Sequence, residues 1–79
     1  MALGDEVIEV PIGDINGVNV TFYTSVAYQS GTLREWMNGI LIRSSDDDGF
    51  TETNPATGEF QTKVALLNGD AIVVRYIEA

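Results

Sequence analysis

The stretch "TLREWMNGILIR", Thr32 to Arg43, decides the fold. Asn38-Gly39 divides it into two short runs of bulky residues. Both residues of such a pair tolerate positive φ, and a two-residue turn of that kind matches the twist of two antiparallel strands. A helical period can be drawn through "SGTLREWMNGIL", but Gly31 and Gly39 bracket it too closely for a stable helix. The stretch therefore predicts a hairpin of Thr32–Met37 and Ile40–Arg43.

The same punctuation recurs along the chain. Asn16-Gly17, Asn68-Gly69, Asp48-Gly49 and Pro55-Ala56-Thr57-Gly58 are turn signals. Between them lie runs of four to eight residues rich in Val, Ile, Thr, Phe and Tyr, the pattern of short strands at regular spacing. Glu6–Pro11 reads as a first strand, with Ile8, Val10 and Ile12 sharing one face. Val18–Thr24 is a second, with Val18, Val20 and Phe22 on one side. Phe50–Thr53 and Glu59–Val64 make another hairpin, and Ala71–Ile77 closes the chain. About seven short antiparallel strands in one domain, residues 1–79, predict an all-β fold: a small antiparallel β-sandwich, jelly-roll or Ig-like in strand order. Residues 1–5 read as an N-terminal arm that orders on docking to a neighbour.

Two strands break the expected alternation of one buried and one wet face. In the last, Ile72, Val74 and Tyr76 form one face, and Val73, Arg75 and Ile77 form a second that is also largely apolar. In the strand from Thr32, Leu33, Glu35 and Met37 oppose Arg34 and Trp36, so either choice buries a charge or exposes a large apolar residue. A β-bulge that re-aims Trp36 inward is one solution. The other leaves Trp36 outside beside Arg34, and Trp and Arg are the residue types that anchor interfaces. Arg34, Trp36, Val73, Arg75 and Ile77 are accordingly the candidate protein–protein contact.

Composition narrows the function. The chain has 79 residues and neither cysteine nor histidine. Disulfides, thiolate metal sites and cysteine nucleophiles are excluded, as are the commonest zinc ligand and general base. A domain this small buries only about 60% of its unfolded surface, and its core supplies no more than roughly 3–5 kcal/mol. Of the usual supplements, oligomerisation remains. Twelve acids against four bases give a net charge of −8, which repels nucleic acid. No apolar run reaches the ~20 residues of a membrane helix. The N-terminus lacks the basic start and apolar stretch of a signal peptide.

Motifs for chemistry are absent. "SSDDDGF", Ser44 to Phe50, fails the EF-hand spacing: counting from Asp46, the fifth position is Phe50 and the sixth Thr51. It reads as a solvated loop. The serines have no histidine partner, and no G-x-S-x-G stands in the chain. No catalytic, cofactor-binding or metal-binding residue is assigned, and the chain is expected not to be an enzyme. Trp36, Tyr23, Tyr28 and Tyr76 are candidates for stacking against sugar rings, which makes a carbohydrate-binding module the alternative reading.

The order of the motifs resembles a small β-sandwich module of tailed-bacteriophage virion proteins, found in head decorations, head fibres or spikes, and tail fibres. "GDINGVNVTFYTS" supplies Asn16, Gly17, Asn19 and Phe22; "SGTLREWMNGILI" supplies Asn38 and Gly39. "DDDGFTETNPATGEF" supplies Asp48, Gly49 and Phe50, and "LLNGDAIVVRYIEA" supplies Gly69, Asp70 and Tyr76. The sequence departs from that pattern at Glu35, where the family has an apolar residue, and near Trp36, where it has a small or polar one. The resemblance implies a non-enzymatic structural subunit on the outer surface of a phage or phage-like particle. Its implied partners are copies of itself, with a trimer expected, and other virion proteins such as capsid or fibre. Beginning at Met1 and ending soon after the last strand, the chain is expected to be a separate subunit rather than a segment of a fibre.

Overall fold

A computed structural model describes residues 4–79. Seven strands follow one another: β1 (Glu6–Glu9), β2 (Thr21–Tyr23), β3 (Arg34–Met37), β4 (Ile40–Ile42), β5 (Phe50–Asn54), β6 (Glu59–Thr62) and β7 (Ile72–Ile77). The only helical turn among the described residues is a 3-10 turn at Pro55–Thr57. Each expected strand is present, and most are shorter than the pattern of apolar residues suggested.

The strands form two antiparallel sheets, ordered β1-β7-β3-β4 and β2-β6-β5. In the immunoglobulin arrangement the first two strands share a sheet. Here β1 and β2 lie in different sheets, the first paired with the last strand and the second with the last but one. The pairs β1–β7 and β2–β6 nest as in a jelly-roll, while β3–β4 and β5–β6 are hairpins within one sheet. The edges are short strands: β4 has three residues and β1 four, which limits the unpaired backbone offered to other chains.

The inner faces meet in an aromatic core. Phe60 stacks on Phe22 with ring centroids 5.9 Å apart and meets Phe50 edge-on at 6.3 Å. Tyr28 and Tyr76 pack edge to face at 6.1 Å. Leu33, Leu66, Ile72 and Val74 complete the cluster. Buried tyrosines keep a polar tip that needs a partner: the Tyr28 hydroxyl donates to the Glu59 carbonyl at 2.6 Å, and that of Tyr76 to Glu9 Oε2 at 2.7 Å.

That second bond explains the orientation of β1. Ile8, Val10 and Ile12 do share a face, and it is the outward one, 64%, 70% and 62% exposed. Val7 and Glu9 turn inward instead. Glu9 accepts from the Ser25 N–H at 2.8 Å and the Ser25 hydroxyl at 2.7 Å as well as from Tyr76. Burial pushes its carboxyl up, but these three donors together hold it below its ordinary value.

The turns gather at one end. Asn38 and Gly39 adopt φ of 53° and 83°, so the pair closes the β3–β4 hairpin as its residue types require. Asn38 is also tied to the turn before β7: its N–H donates to the Ala71 carbonyl, its Oδ1 accepts from the Ala71 N–H, both at 2.8 Å, and its Nδ2 reaches Asp70 at 3.2 Å. Gly17 donates to the Leu66 carbonyl at 2.7 Å beside them. Asn16 Oδ1 caps the Val18 and Asn19 N–H groups at 2.9 and 2.8 Å. Of the three Asn-Gly pairs, only Asn38-Gly39 joins two paired strands; the others turn loops.

The N-terminal arm is in part tied down. Gly4 donates to the Glu78 carbonyl at 3.0 Å and Glu78 to that of Asp5 at 2.8 Å, extending the β1–β7 pairing. The remainder of the arm, residues 1–3, lies outside the described residues.

Candidate interaction surface

The five candidate contact residues lie on one surface, the outer face of the four-stranded sheet. The register shows why. Trp36 on β3 stands opposite Val73 on β7 and Leu41 on β4, giving an apolar row across three strands. The next row runs from Ile8 on β1 through Arg75 to Arg34, and beyond Arg75 lies Ile77 opposite Glu6. Because successive side chains alternate, Leu33, Glu35 and Met37 point the other way, toward the core.

No bulge interrupts β3. Its register runs unbroken from Arg34 to Met37 against β7 and from Glu35 to Met37 against β4. The one shift in a named strand pair lies between Glu52 and Asn54 of β5. The bulge that would have turned Trp36 inward is therefore excluded. Trp36 remains on the outer face, half-buried between its cross-strand neighbours, and Val73, Arg75 and Ile77 are half-buried beside it. Leu41 is 49% exposed.

Electrostatics on this face are local and cationic. Arg34 and Arg75 stand directly opposite each other, a pairing that costs stability unless neutralised. Glu6 forms an ion pair with Arg75. Arg34 instead donates to the Gly31 and Leu33 carbonyls at 3.2 and 3.0 Å and makes no ion pair among the described residues.

The cost of facing Trp36 outward falls on Glu35. It is 0% exposed, between Ile42 and Val74, and neither carboxylate oxygen has a hydrogen-bond partner. Burial, assisted by the like charge of Asp48, pushes its carboxyl up to about 7. The strand pattern displayed the conflict between Glu35 and Trp36, and the fold resolves it by facing the tryptophan outward and burying the glutamate.

The acidic loop is a tied turn. Asp46 accepts from the Arg43 N–H at 2.9 Å and pairs with its guanidinium at 3.3 Å. Its carboxyl is held below the ordinary value first by that N–H, and then by the charges of Arg43 and Lys63. Gly49 is buried, and a Cβ there would meet the Arg43 carbonyl at 2.2 Å, so the turn needs glycine for space. Among the described residues no group of three or more acids is gathered so as to hold a metal ion, and no helix is long and apolar enough to cross a membrane.

The four aromatic candidates for sugar stacking are dispersed. Tyr28 and Tyr76 are core residues. Tyr23, which is exposed, and Trp36 belong to different sheets and form no co-planar pair. No protein-family model, curated protein or solved structure matches the chain.

Proposed function

We propose that the protein is a non-enzymatic structural subunit that works through contact with copies of itself and with neighbouring subunits. The outer face of the four-stranded sheet is the contact. The observation that carries this reading is the Val73–Trp36–Leu41 row, flanked by Ile8 and Ile77: an apolar strip on the wet side of a sheet. Contiguous exposed apolar surface marks interaction sites, and Trp and Arg dominate their energetics.

Charge supports the same face. Copies carrying −8 each repel one another, so a stable contact must lie where acids are sparse. This face presents Arg34 and Arg75 against Glu6. In a closed symmetric assembly each contact is repeated, and a face bearing both signs can complement itself. The virion module that the sequence resembles gives the role a setting: a decoration, spike-base or fibre-associated subunit on the outside of a phage-like particle.

Sedimentation equilibrium tests the proposal. The native chain is expected to self-associate, and Trp36→Ala and Val73→Glu, both outside the core, to leave a folded monomer. A native chain that stays monomeric at every concentration and binds no particle refutes it. So does association that survives both substitutions.

A further inference from the structure

At the opposite end of the β3–β4 hairpin from the Asn38-Gly39 turn, the pairing stops at Glu35 and Ile42. The chain leading into β3 and the chain leaving β4 enclose a cleft of about 550 Å³, floored by Leu33, Ile42 and Phe50. A second hollow of about 320 Å³ shares Gly31, Leu33, Arg34, Ser44 and Phe50 with it and extends to Lys63. Such volumes lie in the range of ligand sites, about 300–1,000 Å³.

The charge around this cleft inverts that of the molecule. The chain has four basic residues against twelve acidic ones, yet three of the four, Arg34, Arg43 and Lys63, line the two hollows. The larger hollow has no acidic residue in its lining, and the smaller has only Glu52. Arg43 is paired with Asp46. Arg34 and Lys63 bond only to backbone carbonyls, Lys63 to that of Asp46 at 3.1 Å, and neither makes an ion pair among the described residues. Arg34 has no carboxylate partner among the described residues, and Lys63 acts on the Asp46 carboxylate without forming an ion pair, so both keep charge to offer a ligand.

The rim also carries one carboxylate of its own. Glu52 already places a carboxylate on it, taking the Gly31 N–H at 2.8 Å and the Leu33 N–H at 3.4 Å. Those amides and the Ser30 hydroxyl hold Glu52, so it engages neither Arg34 nor Lys63.

We propose that this cleft binds an extended acidic protein segment in which Asp or Glu alternates with aliphatic residues. Its carboxylates meet Arg34 and Lys63, and an aliphatic side chain between them rests on Leu41 and the rim of Phe50. Charge complementarity selects the ligand: arginine groups recognise carboxylates through charge-assisted, often bidentate bonds. A segment is favoured over a lone anion because the cationic lining runs from Lys63 in the smaller hollow through Arg34, which lines both, to Arg43 in the larger. The proposal goes beyond self-association through the sheet face, with which it shares Arg34 and Leu41, so the titration is made on the Val73→Glu variant and the two readings fail separately.

The test is an amide-resolved NMR titration with three probes: the capped peptide Glu-Val-Glu-Val-Glu, its Lys-Val-Lys-Val-Lys counterpart, and free glutamate. The acidic peptide is expected to shift the amides of Gly31, Arg34, Arg43 and Ser44 saturably, and to do so less at high salt. Arg34→Gln with Lys63→Gln should weaken it by about tenfold or more. Arg34→Lys, which keeps the charge and controls for folding, should weaken it by only about threefold. The proposal is overturned if the basic peptide moves the same amides, if the shifts fall elsewhere, or if the double variant binds as the Val73→Glu chain does. It is also overturned if free glutamate matches the peptide, since the cleft would then be a small-anion site.

Discussion

Glu35 makes the pH dependence of stability calculable. Its carboxyl is raised from an ordinary 4.5 to about 7 in the folded chain, first by burial and then by the charge of Asp48. At ~1.4 kcal/mol for each tenfold change in proton affinity, ionising it costs the fold about 3 kcal/mol. The sign follows from which state releases its proton first. Below pH 4.5 both states hold the proton, and this contribution is fully present. Between 4.5 and 7 the unfolded chain ionises while the folded chain resists, so stability falls as pH rises. Above 7 both states are charged and the loss is complete. A chain of this length has a total stability of roughly 4–12 kcal/mol, so the effect is large. Urea unfolding followed by Trp36 fluorescence, at a concentration where the chain is monomeric, measures it at a series of pH values. The native chain is expected to be about 3 kcal/mol less stable, relative to Glu35→Gln, at pH 8 than at pH 4. Glu35→Leu, which also removes the unpartnered polar atoms, should exceed native stability throughout, most of all at high pH. Parallel pH curves for the native chain and Glu35→Gln would refute the reasoning.

Two further substitutions test the fold. Phe60→Ala removes the ring between Phe22 and Phe50 and should cost about 3–5 kcal/mol, read from the shift in the urea midpoint. Asn38→Ala forfeits both the positive φ and the bonds to Asp70 and Ala71, for a loss of about 2–3 kcal/mol; Asn38→Gly keeps the φ and should lose about half of that.

The strands were legible because they depend on short-range pattern, whereas the direction of Trp36 was not, since an inward bulge and an outward tryptophan both satisfied the alternation. Asn38-Gly39 declares a hairpin within two residues, and the second apolar face of β7 is visible in Val73 and Ile77. The direction of β1 was not legible. Ile8, Val10 and Ile12 stand out as an apolar face, but the side that turns in is chosen by Glu9, whose partners Ser25 and Tyr76 lie 16 and 67 residues away. Sheet order was hidden for the same reason: nothing local to β1 names β7 as its neighbour. The cationic cleft was the least visible. Arg34, Arg43 and Lys63 look unrelated along the chain and come together only where the start of β3, the end of β4, the start of β5 and the residue after β6 line shared hollows.

The cluster of turns also determines how the molecule ages. Asparagine before glycine deamidates when the next backbone nitrogen attacks the side-chain carbonyl carbon, closing a succinimide ring and expelling ammonia. That attack needs a side chain able to swing. Asn16 is held by the amides it caps, and Asn38 by Asp70 and Ala71. Asn68, exposed in the loop before β7, has no side-chain hydrogen bond among the described residues. In stored protein, isoaspartate should therefore accumulate first at Asn68-Gly69, adding one negative charge at a place where neither the sheet face nor the basic cleft is touched.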